Sequence, residues 1–425
     1  MFDFVSFKND LKKLISYQSI HGEKTSSAPF GEQNKLALNF FLSLAEKMGF
    51  ETINYDNYAG EVIFGEGQEI GVIGHLDVVP VSNIGWNSNP FVLTEKDGFL
   101  YGRGVSDDKG PTLLNLYALK ELKDNGIKPN CKFRLFVGCN EEDGWEDIEY
   151  LKTKTTMPEY GYSPDGNFPL SYAEKGVFQV CFSFPKFKNF SNIKGGSAVN
   201  AVCDYASVES LLPINNVLLK TLSLSSDGNK IESFGKAAHG SMPHLGKNAI
   251  KPLLQYLASM GEDTENIVKF LFDDALGLSK LENEQGTVTF SPNVIFEDEN
   301  KVFITCDCRI PAPFNFEDVK NVIDQFGFDY SLLAHTHPPV YVAKDGFFVQ
   351  TLLSAYNEVT GENRQPISMC GSTFARAFNK GCAFGMDFLT YETNIHDANE
   401  RVKISDLATA YEIYYTALKS LAERE

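Results

Sequence analysis

No apolar run in the sequence approaches the roughly 20 residues that cross a bilayer. The N-terminus, Met1-Phe2-Asp3-Phe4-Val5-Ser6-Phe7-Lys8, carries charge too early for the apolar segment of a secretion signal, so the default expectation is a cytoplasmic location. Positive charge is scarce: 38 Lys and Arg stand against 56 Asp and Glu, a net charge of -18. That excludes nucleic acid and anionic membrane as expected partners, because phosphate recognition relies on clustered positive charge. The 8 cysteines include no CxxC pair, which argues against a closed, cysteine-rich structural metal site. They read as buried thiols of a reducing compartment, and Cys306 and Cys308 alternate as residues on one face of a strand do. Internal repeats, low-complexity tracts and long linkers are also missing.

What is present describes a folded chain, 43% hydrophobic and 22% charged, whose 425 residues exceed one ordinary core and predict two domains. Between Glu32 and Met48 the apolar residues Leu36, Phe40, Phe41, Leu44 and Met48 recur at helical spacing, and Gly49 ends the pattern. Ile70–Gly74 and Lys132–Gly138 are short β-rich runs, with a helical stretch from Thr112 to Lys123 between them. The alternation predicts parallel strands joined by helices, with ligand sites beyond the strands' carboxyl ends. After about Lys175 the texture changes to short alternating strands with a helix near Ala249–Ser259. Near Tyr341 it changes back, with helices expected over Phe347–Val359 and Ser405–Leu421. The expected organisation is an α/β protein in which residues 1–174 and 343–425 form a mixed sheet flanked by helices, and 175–342 form an inserted α+β lid domain.

Five segments carry residues suited to chemistry. Gly74-His75-Leu76-Asp77 ends an apolar strand with two side chains on the same side, so Asp77 could orient the imidazole of His75. Asp107-Asp108 opens a helix, where one aspartate would be an ordinary N-cap but two exceed that need. Glu141-Glu142-Asp143 follows a strand directly, and crowded acids raise one another's pKa unless something positive sits among them. Asp165 lies in the turn signal Ser163-Pro164-Asp165-Gly166, and His396 lies in Ile395-His396-Asp397-Ala398-Asn399-Glu400. Singly, each has an ordinary reading: a hydrogen-bonded histidine, a cap, a solvated loop, a turn, a surface histidine.

Taken in order, GHLDVVP (74–80), YGRGVSDDKGP (101–111), NEEDGW (140–145), SPDGNFPL (163–170), KAAHGSMPHLGKNA (236–249), GSTFARAF (371–378) and IHDANE (395–400) resemble the two-metal aminopeptidase-like hydrolases. That family includes carboxypeptidase G, aminoacylase and PepV, and the stretch Gly195-Gly196-Ser197-Ala198-Val199-Asn200-Ala201-Val202 with the long insert looks like the PepV-like dipeptidase branch. The resemblance implies two divalent ions. Asp107 would bridge them, His75 and Asp165 would complete one site, and Glu142 and His396 the other. Zinc suits this nitrogen and oxygen set, and manganese and cobalt are compatible with it. It further implies a water held between the metals, Glu141 as general base, Asp77 as the partner of His75, and a cis peptide between Asp107 and Asp108. His239 would stabilise the oxyanion, while Asn200, Arg309, Gly371 and Ser372 would hold substrate, Arg309 by a bidentate grip on a terminal carboxylate.

Departures from the pattern fall at Cys370-Gly371-Ser372-Thr373, where a glycine-richer run is usual, at Asp143 in place of a small hydroxyl residue, and at Cys203 in place of a proline. His21, His244 and the pair His335 and His337 receive structural readings. The expected activity is a cytoplasmic, monomeric, metal-dependent dipeptidase of peptide catabolism, acting on small peptides with a free C-terminal carboxylate. The alternative is an N-acyl amino acid deacylase. A substrate-binding protein on an inactive scaffold would have no need of Glu141.

Overall fold

The computed structural model describes residues 2–82, 84–275, 277–333, 336–369 and 371–424. The chain forms two compact units, one of Met1–Ala173, Val340–Ser368 and Thr373–Glu425, the other of Glu174–Pro339 and Met369–Ser372.

The first unit is built on a mixed sheet ordered Glu51–Tyr55, Ala59–Gly65, Cys131–Gly138, Gln68–His75, Tyr160–Ser163, Lys380–Ala383, Ser171–Glu174, Val340–Tyr341, with Ile367–Met369 beside Ser171–Glu174. Its centre is parallel: Gln68–His75 pairs with Cys131–Gly138 from Gln68↔Cys131 to His75↔Gly138, and Tyr160–Ser163 lies between Gln68–His75 and Lys380–Ala383. Parallel neighbours in register end together, so the loops after His75, Gly138 and Ser163 emerge from one edge. These strands are buried on both faces and read as near-continuous apolar runs for that reason. Helices Phe4–Ile15, Glu32–Lys47, Lys109–Asp124, Phe347–Thr360 and Ile404–Ala422 contribute to the main core. Helix Glu146–Lys154 and the turn Phe374–Ala377 build a smaller cluster with Ile73, Phe136 and Phe378.

The second unit has an eight-stranded antiparallel sheet, ordered Ser225–Asp227, Lys230–Phe234, Tyr205–Ser210, Phe190–Gly195, Thr289–Glu297, Lys301–Ile310, Gly176–Pro185, Asp329–Leu332. Residues Val180, Phe182 and Phe184 alternate into its core, where they meet residues of the amphipathic helices Ile250–Ser259 and Glu265–Phe272. This is the one-faced α+β arrangement expected of the insert. Cys306 and Cys308 are buried on strand Lys301–Ile310 as free thiols. His335 and Cys370 lie outside the described residues. No helix among the described residues is long and apolar enough to cross a membrane.

Candidate metal centre

At the end of its strand His75 is 1% exposed and its ring is held from behind, with Nδ1 3.1 Å from the backbone carbonyl of Asp77 and 3.5 Å from its Oδ1. A carbonyl only accepts, so Nδ1 carries the proton and the Nε2 lone pair faces outward. It faces further acceptors: Nε2 is 3.1 Å from Asp107 Oδ1 and 3.8 Å from Asp165 Oδ2. Among the described residues, His75 Nε2 and Asp107 Oδ1 are both buried without a hydrogen-bond partner. An imidazole lone pair and a carboxylate oxygen at this distance require a proton or a cation between them. The other oxygen of Asp107 lies 3.0 Å from His396 Nε2, which is 3.2 Å from Glu142 Oε2. Asp107 thus stands between two imidazoles, each with its own carboxylate neighbour.

The charge balance points the same way. Burial, ahead of every other influence, pushes Glu141 and Asp165 well above the usual carboxylate range, and neighbouring carboxylates add to the shift while His75 opposes it. Glu142 is raised by burial and then by Asp107. Burial would also raise Asp107, but His396 and His75 hold it low instead. His396 itself is lifted to about 11, first by Asp107 and then by Glu142. One set of ligand atoms, from His75, Asp107 and Glu142, and another, from His75, Glu141 and Asp165, each lie within 4.8 Å of one another. Mixed nitrogen and oxygen donors, crowded acids and two unsatisfied buried atoms fit divalent cations.

Behind these residues stands a second group of carboxylates that bond to backbone. Asp77 accepts the amides of Glu141 (3.1 Å) and Glu142 (3.0 Å), so beyond its contact with His75 it ties the acidic loop to the histidine strand. Asp108 makes no side-chain cap to helix Lys109–Asp124; its Oδ2 accepts the amide of His75 (3.1 Å) and the hydroxyl of Thr112 (2.7 Å). The peptide between Asp107 and Asp108 is cis. Asp147 Oδ2 accepts the amides of Cys139 (2.7 Å) and Asn140 (2.9 Å), which lead into Glu141. Any side chain at Gly138 would overlap Asp147 and lie 2.5 Å from the Phe374 ring, so only glycine lets the strand end pass there. Asp147 and Glu400 escaped the sequence reading; the signal available was only an acid within a few residues of a ligand loop. His21 Nδ1 lies 3.0 Å from Asp143 Oδ2 and 3.2 Å from Asn140 Nδ2, against the same loop.

The remaining predicted residues belong to the second unit. His239 Nδ1 accepts the amide of Ser241 at 3.2 Å, so the proton resides on Nε2 and the ring offers an N–H donor. Burial, then Arg309, lowers its pKa, which keeps the ring neutral. Asn200 is exposed, and its carbonyl accepts the amide of Gly240 at 2.6 Å. Arg309 is 6% exposed and forms a forked pair with the fully buried Asp307, Nε to Oδ1 at 2.9 Å and Nη2 to Oδ2 at 3.0 Å. Gly371 and Ser372 are half-buried in the segment Met369–Ser372.

Residues 71–420 match the peptidase family M20/M25/M40. The chain belongs to this family. Membership in the M20 metallopeptidases makes the protein a hydrolase. A Staphylococcus aureus (strain MW2) protein bearing the name "Putative dipeptidase MW1694" is 32% identical over 460 aligned positions, covering 98% of this chain and 97% of the relative. Among solved structures, human carnosine dipeptidase 1 has a TM-score of 0.62 at 15% identity, covering 99% of this chain and 96% of that one. The M20 metallo-carboxypeptidase Sso-CP2 of Sulfolobus solfataricus scores 0.60 at 18% identity, covering 99% of each chain. At such identities the structural likeness speaks to the fold: an M20 α/β unit with an inserted α+β unit.

Proposed function

We propose that this M20 hydrolase cleaves the peptide bond of dipeptides that carry a free C-terminal carboxylate. The observation that carries the reading is Asp107 placed between the Nε2 atoms of His75 and His396, with Glu142 and Asp165 alongside and both His75 Nε2 and Asp107 Oδ1 otherwise unsatisfied. The near full-length similarity to a relative named as a dipeptidase supports the substrate class. His75 and Asp165 would hold one divalent cation, Glu142 and His396 the other, and Asp107 both; zinc is the first choice, with manganese and cobalt compatible with the donors. Bound there, such a pair supplies Lewis acidity toward the scissile carbonyl and lowers the pKa of water.

The protein's own groups then divide the proton work. Glu141 accepts the proton of the attacking water at its carboxylate and returns it to the leaving amine, a role suited by a pKa that burial has raised well above the usual carboxylate range. Asp77 holds the amides of Glu141 and Glu142, which keeps base and ligand facing their separate tasks. His239 is assigned the oxyanion, for which a neutral Nε2–H donor is the required form. Asn200, Arg309, Gly371 and Ser372 are assigned to the substrate, with Arg309 on its carboxylate.

The test is a panel of dipeptides, tripeptides and N-acyl amino acids, assayed on demetallated protein with zinc, manganese or cobalt added back. Dipeptides should be turned over fastest, and only with metal present. Faster turnover of N-acyl amino acids would replace this reading with a deacylase, and full activity without metal would remove the metal centre from it.

A further inference from the structure

Glu400 is fully buried, and its carboxylate is used up by four donors. Oε1 accepts the amides of Ser106 (2.9 Å) and Asp107 (3.1 Å), and Oε2 accepts the amide of Gly104 (2.9 Å) and Nη1 of Arg103 (2.8 Å). Arg103 in turn donates from Nη2 to the carbonyl of Asp397 at 3.2 Å, and the carbonyl of Glu400 accepts the amide of Gly102 at 3.1 Å. Two loops far apart in sequence are therefore locked through one side chain: 102–107, which delivers Asp107, and 393–400, which delivers His396.

The two histidines differ in what places them. His75 ends a strand bonded to neighbours on both sides, and Asp165 lies two residues beyond another strand of the same sheet. His396 has no such support. Its ring is 55% exposed, and its loop runs through left-handed residues at Asn394, His396 and Asn399, with φ of 56°, 62° and 63°. The loop's anchors include the bond from the amide of Arg401 to the carbonyl of Thr393 (2.9 Å), Thr393 against Asp387, Asn399 against Gly85 and Asn87, and the Glu400 and Arg103 lock.

We propose that Glu400, with Arg103, is a positioning residue for one half of the metal pair, the half formed by Glu142, His396 and the outer oxygen of Asp107. The proposal rests on the metal-centre reading above. Only a carboxylate meets the requirement, since all four partners donate. A glutamine would turn its NH₂ toward two of them, leaving donor against donor. The half formed by His75 and Asp165 shares only Asp107 with this lock and takes its other two ligands from the sheet.

The experiment is zinc titration of demetallated protein against a chromophoric chelator, on wild type, Glu400→Gln, Arg103→Lys and His396→Ala, with thermal unfolding of each apo protein alongside. Wild type should take two ions per chain. Glu400→Gln should bind its second ion about 10–100-fold more weakly, the range typical when a partner behind a ligand is lost, and its first ion, which shares only Asp107 with the lock, should be weakened much less. His396→Ala should show the same one-sided loss. Arg103→Lys keeps the charge beside Glu400 but loses the bond to Asp397, so it should weaken the second ion alone and serves if Glu400→Gln fails to fold. Equal weakening of both ions, or wild-type affinity for both, overturns the proposal; equal weakening with a lowered unfolding temperature would make Glu400 merely structural. Fewer than two ions in wild type would overturn the two-metal reading itself, and this inference with it.

Discussion

Replacing Gly74 by alanine tests whether the histidine strand is held from beneath as described. A methyl group there would overlap the hydroxyl of Thr112 and lie 2.5 Å from Asp108 Oδ2, the oxygen that accepts both the amide of His75 and the hydroxyl of Thr112. Overpacking of a filled core destabilises by about 1–3 kcal/mol. Displacing Asp108 also weakens a hydrogen bond to a carboxylate, another ~1.5–3 kcal/mol if lost outright. Since either group can yield first, the expected loss is about 3–4 kcal/mol, with His75 shifted and turnover reduced. The protein's 2 tryptophans, Trp86 and Trp145, both belong to the first unit, so their fluorescence in urea follows that unit's unfolding. Thr112→Ala removes the worst overlap, so the double variant should be more stable than the sum of the two single losses by roughly 1–2 kcal/mol, within the range found for touching residues. A loss under about 1 kcal/mol for Gly74→Ala, or strict additivity in the double variant, would refute the packing described.

Glu141→Gln should leave zinc content near wild type while turnover falls at least about a hundredfold; Glu142→Gln should lose zinc, and the reverse outcome would exchange the two roles. Arg309→Met leaves Asp307 buried without its forked partner and should destabilise the second unit by roughly 3–5 kcal/mol, read by circular dichroism in urea. If Arg309 also grips substrate, the same variant loses the preference for free over C-terminally amidated dipeptides, about a hundredfold in wild type; an unchanged preference would confine Arg309 to Asp307.

Much of the fold is legible where one physical signal dominates. Apolar spacing places the helices observed at Glu32–Lys47, Ile250–Ser259, Phe347–Thr360 and Ile404–Ala422 to within a few residues, and continuous apolar runs mark the buried parallel strands. The antiparallel hairpin of Glu51–Tyr55 with Ala59–Gly65 has a weaker signature. Its turn, Asp56-Asn57, adopts left-handed backbone at φ 52° and 63°, a conformation those residues tolerate but do not announce. At the site, the acids and histidines that face one another are those the motif order brings forward. Those behind them are not. Asp147 sits beside Glu146 and Glu149 in a helix's first turn, where acids serve the helix end anyway, and Glu400 looks like any loop carboxylate. Their bonds go to backbone amides, which every residue type carries, so no pattern of side chains records the pairing.

That distinction explains how so many acids share one edge of a sheet. Asp77, Asp108, Asp147 and Glu400 each accept backbone amides, and Glu400 has Arg103 besides, bonds that offset part of the burial that pushes Asp108, Asp147 and Glu400 above the usual carboxylate range. Among the described residues, no backbone amide donates to the carboxylates of Asp107, Glu141, Glu142 or Asp165. They face one another and two imidazoles instead, which without a cation must be protonated to compensate them. Burial alone therefore does not separate the two sets; what each carboxylate faces does. An acid facing amides has part of its burial cost offset by the chain's own donors and can be read as scaffold. An acid facing other acids lacks that offset, and in a buried cluster a proton or a bound cation has to supply it.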